Sequence, residues 1–580
     1  MDLHQTVTRF KFTGLGVGIF VFVAITLSLS TGSAQSGRID GFGIGSSAHL
    51  RVNPDDLDRT LNEQKTLGVR WTREEIPWSE VEETRDEFQW DYGSRNFFVL
   101  LDELEQRQIN MLALLGYGPL WLQNAPPDEL VERWGVYVQA VVDQFGDRID
   151  YWEIGNEMNS RKFWGKVIYP GVKDALAEPD PYLYARMLQV AYDIIKTHDP
   201  NDVVILGGLV TITDRDCPTN PFVYLSQVHA AGAWNSFDAI AFHPYWDAYP
   251  PEAYTDRGKA HDPNTGACIE GEERMDNMIG EVRALRQLVD NFGAKPIWIT
   301  EIGWNLPWLK ILAGYRGTHP DLVEADYVVR TYVPLLSEPG VEKVFWYTQI
   351  ETTEISDQHN CLLDPPGKRA LGNLAYFLTG STPLGQFQGQ DDRGRAEDDD
   401  VYEYRFEKDG RLIIVLWKAR GGDVKREVIV RDLAVDALRG YPADSAELSP
   451  QAGVLYTVKD KSVKLLLTER PKILVEERIP FWDRLLVDIQ AWLEARGEDQ
   501  GEGLERWWAG IQKQIDDWAA EQQEKLSQQF EAWLQNLVRQ LAQEAEEQLQ
   551  AWVDQLCMGM MLPVGGVVWW ALWRRRKTRA

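Results

Sequence analysis

The sequence predicts an α/β fold, a (β/α)8 TIM barrel, over residues 38–380. Short apolar runs alternate there with longer segments of helical periodicity, such as Leu130–Phe145 and Pro181–Thr197. Eight β-then-α units fit into roughly 340 residues when the loops of a barrel carry insertions. The eight runs that predict strands are Gly41–Ser46, Val69–Arg73, Met111–Leu115, Tyr151–Gly155, Val203–Gly207, Ala239–His243, Ile297–Glu301 and Lys343–Tyr347.

A doubly wound parallel sheet is the alternative arrangement for alternating strands and helices. Such a sheet usually carries a phosphate-binding turn after its first strand. Gly41, Gly43 and Gly45 resemble the glycines of that turn, but no helix pattern or clear acidic partner follows them. The barrel is therefore the favoured prediction.

Residues 382–476 predict a small all-β sandwich domain that follows the barrel. Strand-like runs lie there between turns rich in Gly, Asp and Pro. The clearest runs are Val401–Phe406, Leu412–Trp417, Glu427–Val430 and Lys464–Leu467.

Residues 478–556 predict a long amphipathic helical stalk. Apolar residues recur at steps of three and four from Trp508 to Leu556, which is the pattern of one apolar helix face. The average step is longer than the repeat of a left-handed coiled coil, so a regular coiled coil is not required. The segment is acidic, which disfavours anionic lipid as its partner and favours self-association.

Two apolar stretches predict targeting to a membrane. Residues 1–34 have the regions of a signal peptide, for which an uncleaved anchor helix is the alternative. Residues 557–573 carry no charge and would span roughly 26 Å as a transmembrane helix, unless they form a hydrophobic helix packed on a partner. The basic tail, residues 574–580, predicts a cytoplasmic end. We therefore expect a single-pass protein of the cell membrane whose barrel faces outward.

The composition excludes several classes of protein. Lys and Arg number 60 and Asp and Glu 89, and the formal charge of −29 argues against a nucleic-acid partner. Four cysteines in 580 residues exclude a scaffold built on disulfides. Cys217, Cys268 and Cys361 fall in loops on one rim of the predicted barrel, and we prefer a Cys217–Cys268 pair. No group of residues has metal-ligand spacing, so we expect no metal and no cofactor.

Two carboxylates fall where a barrel carries its active site. The apolar run Asp150–Glu157 ends in Asn-Glu, and Ile297–Glu301 ends in Glu. In the predicted order these are strands 4 and 7, so Glu157 and Glu301 point into the carboxyl-terminal face. A pair of carboxyl groups facing each other is what glycoside hydrolysis needs, because one protonates the leaving oxygen and the other attacks or activates water.

These motifs resemble those of the clan A glycoside hydrolases, and family 39 in particular. That family includes β-xylosidases and endoglycosidases acting on bacterial exopolysaccharide. The resemblance covers about residues 38–476. It is carried by Asn156-Glu157, His243-Pro244-Tyr245, Glu301, Trp346, the stretch Leu67–Trp78 and the β-domain that follows the barrel.

The resemblance implies a role for each residue of the site. Glu157 would be the general acid/base and keep its proton near neutral pH, and Glu301 would be the ionised nucleophile. Arg73 and Tyr245 would hold Glu301 by hydrogen bonds. Asn156 would donate to the 2-hydroxyl of the sugar. The clan retains the anomeric configuration of the sugar, which implies carboxyl groups about 5–5.5 Å apart.

Each remaining binding residue also has a structural interpretation. The resemblance makes Trp346 the floor of the subsite for the cleaved sugar, but it could equally belong to the barrel core. His243 is a substrate-binding candidate or a structural histidine, and Arg73 could pair instead with Glu74 or Glu75. Tryptophans in predicted βα loops are candidate sugar platforms, since sugars stack their CH faces on aromatic rings. They are Trp121, Trp164, Trp246, Trp304 and Trp308.

Together the sequence predicts a membrane-tethered, outward-facing retaining glycosidase. It would hydrolyse O-glycosidic bonds of a poly- or oligosaccharide through a covalent glycosyl-enzyme intermediate. One alternative is a catalytically inactive barrel that binds surface glycan, which the intact carboxylates disfavour. Another is a transglycosylase, which the same two residues would serve.

Overall fold

The barrel and the domain after it belong to one compact unit in the computed structural model of the chain. The signal segment, the stalk, the apolar run and the basic tail all lie outside the described residues. In the part of the chain that is described, no helix combines the length and the apolarity needed to cross a membrane. The structure describes residues 37–45, 54–91, 96–172, 175–211, 219–246, 249–349, 365–388, 400–422 and 424–477, and Lys513.

Eight parallel strands close into a barrel, which confirms the predicted fold. Strands that follow one another around the barrel pair in parallel, and the last pairs with the first. All eight predicted strands are present within a few residues of their predicted ends. They are β1 (Phe42–Gly45), β2 (Trp71–Pro77), β3 (Asn110–Gly116), β4 (Tyr151–Asn156), β5 (Val203–Val210), β6 (Ala239–His243), β9 (Ile297–Ile302) and β10 (Val341–Tyr347).

Helices surround the strands, and the chain marks where several of them begin. Asn96, Asp180, Asn220, Asn277 and Asn305 each cap a helix by accepting hydrogen bonds from backbone N–H groups of its first turn. The helices are α1 (Pro54–Leu67), α2 (Trp78–Val81), α3 (Phe97–Arg107), α4 (Pro127–Phe145), α5 (Arg161–Ile168), α6 (Pro181–His198), α7 (Pro221–Ala230), α8 (Met278–Phe292), α9 (Leu306–Arg316), α10 (Pro320–Ser337) and α11 (Pro366–Leu378).

An apolar plug fills the barrel at the amino-terminal ends of its strands. Large rings dominate it, and Trp71 and Trp298 pack edge to face with centroids 5.4 Å apart. Ionisable side chains are gathered at the opposite end, here called the mouth, where the strands end. The plug consists of Trp71, Leu112, Ile205, Ala239, Ala241, Trp298 and Phe345.

A hairpin that the sequence did not predict is inserted between β6 and α8. Its strands are β7 (Thr255–His261) and β8 (Cys268–Asp276). Both are rich in polar and charged residues, so neither shows the apolar alternation that marks a half-buried strand. Cys268 forms a disulfide, and because the other three cysteines lie outside the described residues, its pairing with Cys217 stays a prediction.

Residues 382–477 form the predicted β-domain, a six-stranded antiparallel sheet and a two-stranded one. Side chains of β13 alternate between two cores. Ile413, Val415 and Trp417 join the core of the barrel, while Ile414 and Leu416 pack between the two sheets. The strands are β11 (Thr382–Gln388), β12 (Val401–Lys408), β13 (Arg411–Lys418), β14 (Arg426–Val430), β15 (Ala437–Pro442), β16 (Val454–Thr457), β17 (Val463–Leu467) and β18 (Lys472–Glu477).

Candidate active site

The two predicted carboxylates meet at the mouth of the barrel. Glu157 directly follows β4 and Glu301 lies in β9, and they are 6% and 7% exposed. The φ of Glu157 is 47°, a left-handed conformation that residues other than glycine rarely adopt. Such a conformation at a strand end often accompanies a functional side chain, because surrounding contacts must hold it.

Arg73 links the nucleophile candidate to the strand that carries the other carboxylate. Its Nη1 donates to Oε1 of Glu301 at 2.6 Å, and its Nε donates to Oε2 of Glu153 at 2.6 Å. Its Nη2 donates to Oε1 of Glu153 at 3.0 Å and to Oδ1 of Asn156 at 2.8 Å. The hydrogen bonds of Arg73 thus go to residues of β4 and β9 across the mouth. They do not go to Glu74 or Glu75, the alternative partners.

Asn156 is oriented by its contact with Arg73. Because its Oδ1 already accepts from the guanidinium, its Nδ2 is the atom left to donate to a ligand. A side-chain amide with that orientation at the mouth suits a sugar hydroxyl.

His243 lies between the two carboxylates and is fully buried. Its Nδ1 is 3.1 Å from Oε1 of Glu157 and 3.8 Å from Oε2 of Glu301. Its Nε2 is 2.9 Å from Oγ1 of Thr300, whose hydroxyl donates to Oε1 of Glu153 at 3.2 Å. Since the Thr300 proton is used in that bond, Nε2 of His243 is the donor to Thr300.

A glycine in β5 makes room for this imidazole. A Cβ atom on Gly208 would lie 2.1 Å from Nε2 of His243, which no side chain could tolerate. The backbone N–H of Gly208 also donates to Oε1 of Glu153 at 3.0 Å. The strand therefore contributes both space and a hydrogen bond to the site.

The environment of Glu301 favours its ionised form. Burial alone would raise the pKa of this carboxyl, but the charges of His243 and Arg73 and the hydrogen bonds from Tyr245 and Arg73 lower it below its usual value. The Tyr245 hydroxyl donates to Oε2 of Glu301 at 2.7 Å. Both oxygens of Glu301 thus accept a hydrogen bond.

The environment of Glu157 favours its protonated form. Burial raises the pKa of Glu157, and the negative charge of Glu301 raises it further, while His243 and Arg73 oppose the change only in part. The pKa values of two neighbouring carboxyl groups are therefore shifted in opposite directions.

The geometry of three side chains would also admit a cation. One ligand atom each from Glu157, His243 and Glu301 can be chosen so that all lie within 4.8 Å of one another. The Arg73 guanidinium already neutralises Glu301 at 2.6 Å, and Tyr245 occupies its second oxygen. A cation at this position would therefore compete with Arg73 and Tyr245 for the oxygens of Glu301.

Trp346 and Trp304 are buried beneath the mouth. They are 0% and 1% exposed, and their ring centroids lie 5.9 Å apart at an angle of 30°. Trp304 also packs edge to face on Tyr327 and donates to the carbonyl of Tyr249. Neither ring offers an open face to a sugar, so the alternative of barrel core describes Trp346 better than the floor of a subsite.

The other candidate sugar platforms divide by exposure. Trp164 and Trp246 are buried, whereas Trp308 is 37% exposed. Trp121 is half-buried and lines an open groove of about 590 Å³, together with Tyr117 and Lys166. The groove runs beside the mouth along the loops that follow β2, β3 and β4.

Two buried residues of the site were not identified from sequence. Glu153 holds Arg73 with both carboxylate oxygens, and Thr300 connects Glu153 to His243. The signal for Glu153 was present, because it is an ionisable residue in the middle of the apolar strand Tyr151–Asn156. Thr300 gives no such signal, since a threonine is ordinary in a strand.

Comparisons with known proteins bear on the fold. No protein-family model matches the chain, and no curated protein matches it. A family 39 glycoside hydrolase from the gut symbiont Bacteroides cellulosilyticus superposes with a TM-score of 0.55 at 19% identity, over 76% of this chain and 81% of that one. This similarity agrees with the resemblance seen in the sequence and establishes a shared fold.

Two further solved structures match with lower scores. A monomeric β-xylosidase from Caulobacter crescentus is 18% identical with a TM-score of 0.47, over 75% of this chain and 95% of that one. A family 30 endoxylanase from Clostridium papyrosolvens is 14% identical with a TM-score of 0.46, over 76% and 97%. All three of these neighbours are glycoside hydrolases.

Proposed function

We propose that this protein is a retaining glycoside hydrolase with Glu301 as nucleophile and Glu157 as general acid/base. The observation that carries the proposal is a pair of buried carboxyl groups at one mouth, where Arg73 and Tyr245 donate to Glu301 and His243 contacts Glu157. Their surroundings raise the pKa of Glu157 and lower that of Glu301. An oxygen of Glu157 lies within 4.8 Å of an oxygen of Glu301. This supports retention, because inverting enzymes separate their carboxyl groups by about 6.5–9.5 Å to admit water.

The first chemical step forms a bond between Glu301 and the sugar. The carboxylate attacks the anomeric carbon, the bond to the leaving oxygen breaks, and that oxygen takes the proton of Glu157. The resulting ester removes the negative charge of Glu301. Because that charge helps to raise the pKa of Glu157, the pKa falls and Glu157 becomes a base.

The second step returns the enzyme to its starting state. Glu157 removes a proton from water, whose oxygen attacks the anomeric carbon and displaces the Glu301 carboxylate. Two inversions leave the configuration of the sugar unchanged. Arg73 and Tyr245 receive the released charge with hydrogen bonds that are already in place.

Hydrolysis of activated aryl glycosides tests this proposal. We expect wild type to release the aryl group from at least one member of a broad panel, and Glu301→Ala to lower turnover by roughly 10⁴-fold or more. If both proteins are equally inert while a glycan array shows binding, the barrel is a glycan-binding protein. Product analysis with an added acceptor sugar distinguishes hydrolysis from transfer.

We further propose that the enzyme acts on a chain of sugars at the outer surface of a membrane. The groove of Trp121 and Lys166 supports an oligosaccharide, since the segments that line it follow β2, β3 and β4, whose carboxyl-terminal ends form part of the mouth. The apolar run 557–573 and the basic residues after it support the anchor. Carbonate extraction of membranes should leave the full chain bound and release a form truncated before Cys557. Equal release of both forms would refute the anchor.

A further inference from the structure

Arg257, on the inserted hairpin, lies behind the segment that follows β6. Its side chain is only 6% exposed. The centre of its guanidinium lies 4.0 Å from the centroid of the Trp246 ring. Its Nη2 donates to the backbone carbonyl of Tyr245 at 3.2 Å. The hairpin thus contacts the backbone of a residue whose side chain reaches Glu301.

Nη2 of Arg257 is also connected to His243, the first residue after which this segment is named, through the side chain of Thr211. Nη2 of Arg257 donates to Oγ1 of Thr211 at 2.7 Å. The hydroxyl and the backbone N–H of Thr211 both lie 3.4 Å from the carbonyl oxygen of His243. Arg257 is therefore connected to both His243 and Tyr245 on the side away from the carboxyl groups.

The segment His243–Trp246 supplies one contact to each carboxyl group of the pair. His243 lies 3.1 Å from Glu157, and the Tyr245 hydroxyl donates to Glu301 at 2.7 Å. A backbone shift of about 1 Å away from the carboxyl groups would lengthen both contacts beyond hydrogen-bonding range. The position of these four residues therefore sets the contacts of both carboxyl groups at once.

We propose that Arg257 is a positioning residue that fixes the His243–Trp246 segment and, through it, both carboxyl groups. The inference rests on the proposed function for the roles of Glu157 and Glu301. It assigns the inserted hairpin a part in the reaction, although no side chain of the hairpin needs to touch the substrate.

The chain offers a matched control in Arg274 on the second strand of the hairpin. Nε of Arg257 and Nη1 of Arg274 both lie 3.1 Å from Oε1 of the buried Glu281. The hydrogen bonds described for Arg274 go to Asp276 and Gly280, not to the His243–Trp246 segment. If Arg257 acts only through Glu281 or through the stability of the hairpin, substitutions of Arg257 and of Arg274 should have similar effects.

The experiment compares Arg257→Lys with Arg274→Lys in the full chain. Lysine keeps a positive charge on the hairpin, but its single nitrogen cannot contact Glu281 and at the same time bridge Thr211 and the Tyr245 carbonyl, as Nε and Nη2 of Arg257 do together. We expect Arg257→Lys to lower kcat by roughly 10- to 100-fold with a smaller change in KM, and Arg274→Lys to leave both nearly unchanged.

The pH profile gives a readout that a merely structural role would not move. The titratable and charged groups that face the two carboxyl groups are Arg73, Tyr117, Lys166, His243 and Tyr245, and Glu157 and Glu301 face each other. Tyr245 lowers the pKa of Glu301 and His243 lowers that of Glu157. Loss of both contacts should therefore move both limbs of the kcat/KM profile to higher pH, by about half a unit each.

Two kinetic outcomes of the comparison between the lysine variants would overturn the proposal. Equal effects of the two lysine variants, or a lower kcat with an unmoved pH profile, would mean that Arg257 acts only on stability. Should Arg257→Lys fail to fold, Thr211→Val removes the side-chain link from Arg257 to His243 with little change in shape, and it should shift the basic limb upward. An unmoved limb there refutes the connection.

A crystal structure of each variant separates this proposal from the proposed function. We expect the Tyr245–Glu301 contact to lengthen in Arg257→Lys and to persist in Arg274→Lys, whether or not the protein hydrolyses glycosides. An unchanged contact in Arg257→Lys refutes the positioning role even if wild type is an active glycosidase.

Discussion

Nδ1 of His243 lies 3.1 Å from Oε1 of Glu157, within hydrogen-bonding distance. Because Nε2 of His243 donates to Thr300, Nδ1 either accepts the proton of neutral Glu157 or donates its own to the carboxylate. A lone pair facing an anionic oxygen at this distance would be repulsive, so a proton lies between the two groups. Burial raises the pKa of Glu157, which favours the protonated form that a leaving group needs.

Glu157→Ala should lose activity in proportion to how much the leaving group needs a proton. We expect a loss of roughly 10²–10⁴-fold with a poor leaving group and a much smaller loss in glycosylation with an activated aryl leaving group. Added azide should restore turnover and give a glycosyl azide of retained configuration, since it needs no base. Equal losses for both kinds of substrate, with no azide product, would remove Glu157 from this role.

Tyr245→Phe should move only the acid limb of the kcat/KM profile. The Tyr245 hydroxyl helps to lower the pKa of Glu301, so its removal raises that pKa and the midpoint of the acid limb moves to higher pH by about one unit. Tyr137→Phe is the control, because that hydroxyl donates to the backbone carbonyl of Ile76 instead. A shift toward lower pH, or an equal shift in the control, would contradict this account.

Glu153→Gln should weaken both activity and stability. The Glu153 carboxylate accepts from Arg73 with both oxygens and from Gly208 and Thr300. An amide cannot accept at both positions, so Arg73 would lose its orientation toward Glu301. We expect kcat to fall roughly 100-fold and the free energy of unfolding to fall by about 2–4 kcal/mol. A variant with wild-type kinetics would show that Arg73 needs no such support.

Glu252→Ala should destabilise the contact between the barrel and the β-domain. Glu252 accepts from the fully buried Arg330 at 2.8 Å and from Nε1 of Trp417 in the β-domain at 2.7 Å. Its removal leaves a buried guanidinium short of its main partner, which costs about 3–5 kcal/mol. Urea unfolding followed by tryptophan fluorescence measures the loss.

An exposed ion pair provides the control for Glu252. Glu427 and Lys464 are 58% and 61% exposed and lie 3.2 Å apart. Glu427→Ala should change the free energy of unfolding by less than about 1 kcal/mol, since water screens such a pair. Equal losses of unfolding free energy in the two variants would show that the contact made by Glu252 stabilises the fold no more than an exposed ion pair does.

The barrel could be predicted because its strands are buried on both faces. Buried parallel strands are continuous apolar runs, and Ile297–Ile302 can be recognised as such a run from the sequence alone. Glu157 and Glu301 stood out for the same reason, as charges at the ends of such runs. The hairpin with Arg257 was missed because its strands are polar on both faces and depend on tertiary contacts.

The connections within the site could not be predicted from the sequence. Arg73 and Glu301 are 228 positions apart, and nothing in the sequence says which of several carboxylates the guanidinium contacts. The burial of Trp346 could not be predicted either. A ring at a strand end serves as a sugar platform or belongs to the core, depending on which side chains pack over it. In this fold Trp304 packs against it.

Trapping the covalent intermediate tests the central claim most directly. A 2-deoxy-2-fluoro glycoside with an activated leaving group, made from the sugar that wild type cleaves fastest, slows release of the glycosyl-enzyme more than its formation. We expect inactivation with one sugar bound per chain, and peptide mass spectrometry should place the added mass on Glu301. A label on another residue, or hydrolysis with inversion and no label, would contradict the account.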